Sequence, residues 1–314
     1  MADKGKDIAN PTKLGKVTDR GAIAKAMYAD AKEVFMKNLD ELEKEYTGLV
    51  KIYSSDSQDE KYETVGNLKP AYIKGEGEAI TYGTITDGWT TKLKNNTIVN
   101  GFAVTFENQQ DDKWGLINKT KGSELARTMN DFKELACAET WDKITETVGA
   151  DGVPGASHKH PLLQDSTKFN DNLVENEFNT NTYIEATKRF NHWFNHYGSK
   201  FQTKPDTIIA HSDRQVEIAA MLQSTLWAFE NTNTKNTIPK LSVVFNSYIK
   251  ELPVHILDSS ISSVILQERM AMQTNYSFDE SGTLDYYFNA VERYQTGVIN
   301  PGFGFVTITG EKSE

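Results

Sequence analysis

Between Thr47 and Gln110 the chain is dominated by charge, glycine, threonine and tyrosine, with strand-like alternation over Ala79–Ile85 and again over Ile98–Phe106. This pattern predicts one long hairpin, its tip near Asp87, Gly88 and the Lys92–Asn96 stretch, where turn-forming and solvated residues gather. A long, two-faced polar hairpin cannot bury itself. It needs a surface to lie on, either the rest of its own chain or a neighbour, and the residues alone leave that choice open.

The flanking segments supply ordinary core material. From Thr18 or Asp19, Ile23, Met27, Ala31, Val34, Phe35, Leu39, Leu42 and Tyr46 recur at three- and four-residue steps and predict an amphipathic helix behind a short arm. A second, longer helix is expected from about Lys119 to Val148. Its buried stripe would be Leu125, Met129, Phe132, Leu135, Ala136, Trp141, Ile144 and Val148, with Gly149 ending it. A loop rich in glycine, proline and histidine follows to Pro161. Two further helices carry capping-box signatures, Thr182 with Glu185 running to Tyr197, and Ser212 with Gln215 running to about Phe229. Short apolar runs at Thr207–Ala210, Leu241–Phe245, Val254–Leu257 and Val264–Leu266 read as buried strands. Leu284–Val291, Gln295–Val298 and Phe303–Thr309 alternate as strands around a turn at Asn300–Gly302. The fold class is α+β.

Composition narrows the function. With 314 residues, 38% of them hydrophobic, the chain has enough material for one large or two modest domains. A net charge of -10 argues against a dedicated nucleic-acid binder but is compatible with a wall around nucleic acid, which need not attract what it encloses. The single cysteine, Cys137, excludes an intrachain disulfide and a thiolate zinc cluster. No apolar stretch has the length of a signal peptide or a membrane span, so no membrane partner is expected.

Residues able to carry chemistry fare poorly against simpler readings. His192 and His196 stand four apart, the spacing that lets two imidazoles share a metal on a helix. Trp193 occupies the place of a zincin's glutamate, and Phe190, Phe194 and Tyr197 make the stretch read as an aromatic packing face. His158 and His160 lack a surrounding ligand set. Cys137 lies between Ala136 and Ala138 and reads as packing. Gly75 and Gly77 have no strand leading in and no helix following, so they do not form a phosphate loop. Asp111 and Asp112 read as helix-capping residues ahead of the long helix. The expectation is no catalytic residue, no cofactor and no metal, in a protein that works by its contacts.

The order of elements resembles the major capsid proteins of tailed bacteriophages, in particular the Mu-like major head subunit group. The resemblance rests on Phe106-Glu-Asn-Gln-Gln-Asp-Asp-Lys-Trp-Gly-Leu-Ile followed by Leu125-Ala126-Arg127, on His160-Pro161-Leu162 with Phe169-Asn170, on Asn236-Thr237-Ile238-Pro239-Lys240-Leu241 before Val243-Val244, and on Ala290-Val291-Glu292-Arg293 through Gly297-Val298 to Asn300-Pro301-Gly302-Phe303. It implies an N-terminal arm and helix over residues 1–46, an extended loop over 47–116, a peripheral domain with a spine helix over 117–180 and closing strands over 284–314, and an axial domain over 181–283. It implies a non-enzymatic subunit of an icosahedral or prolate head, self-assembling into hexamers and pentamers around double-stranded DNA. Scaffolding and portal proteins would be partners. The virion would be its location, after assembly in the host bacterial cytoplasm.

The short segment before the first helix leaves no room for a fused scaffolding domain, so scaffolding would come from a separate protein, or the chain would be the mature form. Lys61, Lys69, Lys74, Lys92 and Lys94 offer no preferred crosslinking site, and no covalent crosslink is expected. Genome contact would be non-specific and salt-sensitive, through Lys4, Lys6, Lys13, Lys16 and Arg20. The rival readings are an encapsulin-like shell around protein cargo, a metal-dependent enzyme using His192 and His196, and a tail or baseplate structural protein.

Overall fold

The structure is a computed structural model that describes residues 20–83, 85, 87–111, 116–225, 235–261, 263–279 and 285–310. Lys4, Lys6, Lys13, Lys16, Asp112 and Phe229 lie outside them. The chain divides into two compact units. Unit 1 takes residues 1–44, 96–133 and 269–294, and unit 2 takes 45–95, 134–268 and 295–314.

Unit 1 is built on α1 (Arg20–Glu41) and the first part of a long helix. Its sheet takes Asn96–Val104 together with the parts of two longer strands that fall within it. In chain order the elements of the molecule are α1, α2 (Tyr46–Leu49), β1 (Lys51–Ser54), β2 (Asp59–Val65), β3 (Asp87–Lys94), β4 (Asn96–Val104), α3 (Phe106–Asp111) and α4 (Leu116–Asp142). There follow β5 (His160–Pro161), β6 (Phe169–Asn170), β7 (Leu173–Val174), α5 (Thr180–Arg189), β8 (Thr207–His211), α6 (Gln215–Gln223), β9 (Ser242–Asn246), β10 (Val254–Leu257), β11 (Val264–Phe278), β12 (Tyr286–Val298) and β13 (Phe305–Ile308).

In unit 1, β12 pairs antiparallel with β4 from Tyr286↔Val104 to Tyr294↔Asn96. The two-residue period of β12 puts Tyr286, Phe288, Ala290, Glu292 and Tyr294 on its buried face. Ala31 and Phe35 of α1 and Leu125, Ala126 and Met129 of α4 pack against Phe288 and Ala290. The same period buries Glu292, whose carboxylate meets the ammonium of Lys133 at 3.2 Å, both side chains being almost wholly enclosed. The Lys133 ammonium also lies 5.0 Å from the Tyr294 ring centre.

The first helix stops at Glu41 instead of continuing to Tyr46, and the chain restarts as the short α2. Near that end the Asn38 amide donates to the Val34 carbonyl at 2.7 Å, a side-chain bond that competes with continued helix. The long helix also differs from its predicted stripe. Phe132, Leu135 and Val148 are exposed, while Lys133, Glu134, Cys137 and Ala138 are buried. The helix ends at Asp142, ahead of Gly149.

Unit 2 centres on a five-stranded sheet in the order β7-β13-β10-β8-β9. β10 runs antiparallel to both β13 and β8, while β9 is parallel to β8 and β7 to β13. Tyr183, Ala186 and Phe190 from the α5 region and Ile218, Met221 and Leu222 of α6 close over Ile208, Val254, Ile256, Val306 and Ile308. The α5 cap is shifted from the one expected. Asn179 is the N-cap and accepts from Asn181 and Thr182 N–H, while the Thr182 hydroxyl accepts from Asn179 N–H, so Thr182 is the third helical residue and not the cap. Ser212 starts a 3-10 turn, with His211 as its cap, and α6 follows from Gln215.

A hairpin is present but from other strands than expected, since Ile98–Val104 lies in β4 and pairs with β12. β2 pairs antiparallel with β3 from Asp59↔Lys94 to Val65↔Asp87. Ala79–Ile85 forms no strand among its described residues, and Asp87, Gly88 and Lys92–Lys94, expected at the tip, lie in β3. The β-ladder here rests on a polar, charged strand, Asp-Glu-Lys-Tyr-Glu-Thr-Val, that apolar alternation does not flag.

Candidate functional site

The root of the β2–β3 hairpin is a chain of polar side chains within unit 2. Tyr62 Oη donates to Gln267 Oε1 at 3.0 Å, and Gln267 Nε2 donates to Asn95 Oδ1 at 2.9 Å. Asn95 Nδ2 donates to Ser55 Oγ at 2.9 Å and to the Ser57 carbonyl at 2.9 Å. Ser55 Oγ in turn donates to Glu60 Oε1 at 2.8 Å, which also receives the N–H groups of Asp56 and Ser57. Asn95 and Gln267 are buried, and their mutual bonds satisfy amide groups that would otherwise be costly inside.

Beyond the ladder, the described residues of the 66–85 loop run out in two arms joined by side-chain bonds instead of a β-ladder. Thr81 N–H donates to Tyr72 Oη at 2.7 Å. At the turn, Gly75 N–H donates to Glu78 Oε2 at 2.9 Å, and Gly77 takes φ +78°, a left-handed conformation that suits glycine. The large apolar side chains of this loop face outward. Ile73 is 98% exposed and Tyr82 84%, and Leu68, Tyr72, Ile80 and Ile85 are also exposed.

The residues with possible chemistry are not brought together. α5 ends at Arg189, a 3-10 turn covers Phe190–His192, and Trp193 is extended. His192 therefore faces solvent, while His196 is buried with its ring 5.5 Å from Trp89 and 5.2 Å from Phe303. The helical i, i+4 spacing expected for the pair is not formed. Burial holds the His196 pKa below its ordinary value. Among the described residues no group of three or more His, Cys, Asp and Glu is placed to hold a metal.

His160 Nδ1 lies 2.6 Å from Asp151 Oδ2, and its Nε2 lies 3.1 Å from Asn172 Oδ1. Asn172 also accepts from Ser157 N–H and donates to the Gly155 carbonyl. This cluster ties down the loop after α4. His158 sits at the surface against Asp171. Cys137 is fully buried in α4, Asp111 ends α3, and Lys92 pairs with Asp59 at 2.8 Å.

Glu134 and His255, buried ionisable groups in unit 2, escaped the sequence reading. Glu134 on α4 is 1% exposed. Burial pushes its pKa up to about 7. The nearby Glu45 carboxylate acts in the same direction, while the N–H groups of Tyr46 and Glu45 and the Asn246 amide pull the other way. His255 on β10 is enclosed between Trp141, with ring centres 4.8 Å apart, and Thr307, whose Oγ1 is 3.0 Å from Nδ1. Burial pushes its pKa down to about 3. The period-2 pattern of β12 already carried the signal for Glu292. No comparable signal marks Glu134, which sits one residue from Lys133 on a helix face that only tertiary packing defines.

No protein-family model matches the chain, and no curated protein does. Solved structures do. The virus-like particle of Pyrococcus furiosus matches at 11% identity and TM-score 0.52, over 90% of this chain and 98% of that one. The procapsid of bacteriophage JBD30 matches at 13% identity and TM-score 0.52, over 94% and 78%. The capsid of cyanophage P-SCSP1u matches at 9% identity and TM-score 0.55, over 84% and 87%. Such identities carry the fold and nothing finer. The fold class is therefore that of the capsid proteins, α+β with helices and several sheets. It is the fold shared by these phage capsid and virus-like-particle proteins.

Proposed function

We propose that the chain is the major capsid subunit of a tailed-phage head, self-assembling through hexamers and pentamers into an icosahedral or prolate shell around double-stranded DNA. The observation that carries this reading is the match of nearly the whole chain to solved phage capsids, which leaves no large part of it for another task. The neighbours are structural shells, and the chain on this reading is a structural subunit without enzymatic turnover. Residues 1–46 serve as the arm and first helix, 47–116 as the extended loop, 117–180 with 284–314 as the peripheral domain, and 181–283 as the axial domain. Scaffolding and portal proteins complete the assembly in the host cytoplasm, and the virion is its destination. Contact with DNA is non-specific, as a chain of net charge -10 favours. Among the described residues no helix is long and apolar enough to cross a membrane.

Negative-stain microscopy of the purified chain, with nuclease protection of co-purified nucleic acid, tests the proposal. Closed polyhedral particles or capsomer rings are expected, with DNA protected in particles from infected cells. A chain that stays monomeric at assembly concentrations would overturn it. The second reading, an encapsulin-like compartment, draws on the likeness to the virus-like particle, whose chain is covered over 98% of its length. Particles that hold protein cargo and no nucleic acid would favour it.

A further inference from the structure

The sheet of unit 1 has one face under α1 and α4 and one face open. Met272 of β11, Phe288 and Ala290 of β12, and Ile98 and Phe102 of β4 lie on the core side, so the two-residue period turns the alternate residues outward. Within unit 1 those outward positions hold Arg269 and Arg293 as their only charged side chains, among neutral ones such as Gln273, Asn275 and Asn289. In a chain with 44 acidic residues against 34 basic ones, an open face with two cations and no carboxylate runs against the composition. Neither guanidinium has an ion pair or a hydrogen bond among the described residues, and Arg269 Nη1 and Arg293 Nε are enclosed without an acceptor.

The ladder brings the two together. At one end of the β11–β12 hairpin Asp279 N–H donates to the Asp285 carbonyl at 3.1 Å, and at the other Ile299 N–H donates to the Ser263 carbonyl at 2.8 Å. Counting inward from these ends sets Arg293 or Gln295 across from Arg269, so the two arginines are direct or diagonal neighbours, about 5–8 Å apart at Cβ. Thr97 of β4 stands across from Arg293 on the other side and adds a hydroxyl. Like charges facing each other across a ladder weaken it. Each guanidinium has also lost water on one side without gaining an acceptor, which costs free energy. A bound anion relieves both.

We propose that Arg269 and Arg293 form a site for a phosphate group on the open face of this sheet. Two planar forks present paired N–H donors to the oxygens of one tetrahedral anion, a geometry that lysine cannot offer. A phosphate dianion also matches both charges, where a single carboxylate would leave one over. Inorganic phosphate and the phosphodiester chain of a nucleic acid share this chemistry. The site goes beyond the shell reading and does not depend on it.

The test takes the dissociated full-length subunit with its Arg269→Gln and Arg293→Gln variants, melted in sodium phosphate and in sodium chloride of equal ionic strength. In chloride the variants should melt at or above the parental temperature, because a repulsion is gone. In phosphate the parent should gain more, by an amount that fits a dissociation constant at least about tenfold tighter than either variant's. The general salt effect of phosphate is common to all three and cancels. Arg269→Lys, which keeps the charge and loses the fork, should fall between. For the polymer, fluorescence anisotropy of a short labelled DNA duplex at stepped salt should give a slope of log affinity on log salt that is shallower by about one in each variant. That result makes nucleic acid the source of the phosphate, whereas unchanged slopes beside a variant-sensitive phosphate gain make it the free anion. Equal phosphate gains together with unchanged slopes would overturn the site. So would a variant that unfolds in chloride, which would make the arginine a structural group, or a glutamate peptide that protects the parent more than phosphate does.

Discussion

Replacing Glu134 with glutamine keeps the shape of the side chain and removes its ability to ionise. The carboxyl group is buried, and its pKa of about 7 lies well above the ordinary 4.5. That gap corresponds to about 3 kcal/mol. The folded state binds the extra proton between pH 4.5 and 7, so this contribution to stability is complete below 4.5 and is lost as pH rises through 7. The neighbourhood suits the amide. Asn246 Oδ1 is fixed by the N–H groups of Tyr248 at 2.8 Å and Ile249 at 3.1 Å, which leaves its Nδ2 as the group available toward residue 134. Glu134→Gln should match the parent at pH 4.5 and exceed it by up to about 3 kcal/mol at pH 8. Urea unfolding of dissociated subunits at half-unit steps between these limits measures the difference directly. A difference that stays constant with pH would refute the reasoning, because any effect of shape alone is the same at every pH.

His255 should act in the opposite direction. Its pKa is depressed to about 3, so its contribution is whole above pH 6.5 and is lost as pH falls toward 3. His255→Phe should flatten the acid limb of the stability profile by up to about 5 kcal/mol, read by urea midpoints from pH 7 to 3.5. An unchanged acid limb would show that other groups set it. For the buried ion pair of unit 1, Glu292→Gln removes the carboxylate 3.2 Å from the enclosed Lys133 ammonium and should cost about 3–5 kcal/mol. The double change Lys133→Met with Glu292→Met should cost less. Thermal melting followed by circular dichroism would rank the two, and a double variant worse than the single would contradict this account.

Where periodicity and burial coincide, the fold was legible. β8, β9 and β10 fall where their apolar runs predict, and α1 and α4 lie within the stretches their three- and four-residue steps mark but end earlier, at Glu41 and Asp142. The failures share a physical cause. β2 is held by ladder bonds and by Tyr62 reaching Gln267, a partner far along the chain, so neither its propensity nor its pattern announces it. Ala79–Ile85 has the alternation of a strand, but its described residues are exposed and take no ladder partner. The aromatic run Phe190–Tyr197 suggested a continuing helix. Phe190 and Trp193 both go into the core, and the Trp193 indole donates to the Asp171 carbonyl at 3.0 Å, a route the chain takes by leaving the helix. In the candidate site, the outward loop residues were visible as residue types, but their exposure depends on which strands pair.

The polar root of the hairpin has a geometric consequence. β2 has seven residues, which at about 3.3 Å each gives a lever of roughly 23 Å before the loop begins. A tilt of roughly 5° at its base would carry the far end sideways by about 2 Å, more than a close-packed contact tolerates. Apolar burial is non-directional and would hold such a base loosely in angle, whereas hydrogen bonds weaken steeply as they bend. The run from Tyr62 through Gln267, Asn95 and Ser55 to Glu60 thus acts as an angular bracket. On the proposed shell reading it lets every copy aim its loop along the same line, and a shell of repeated subunits closes only if that aim is reproduced from one copy to the next.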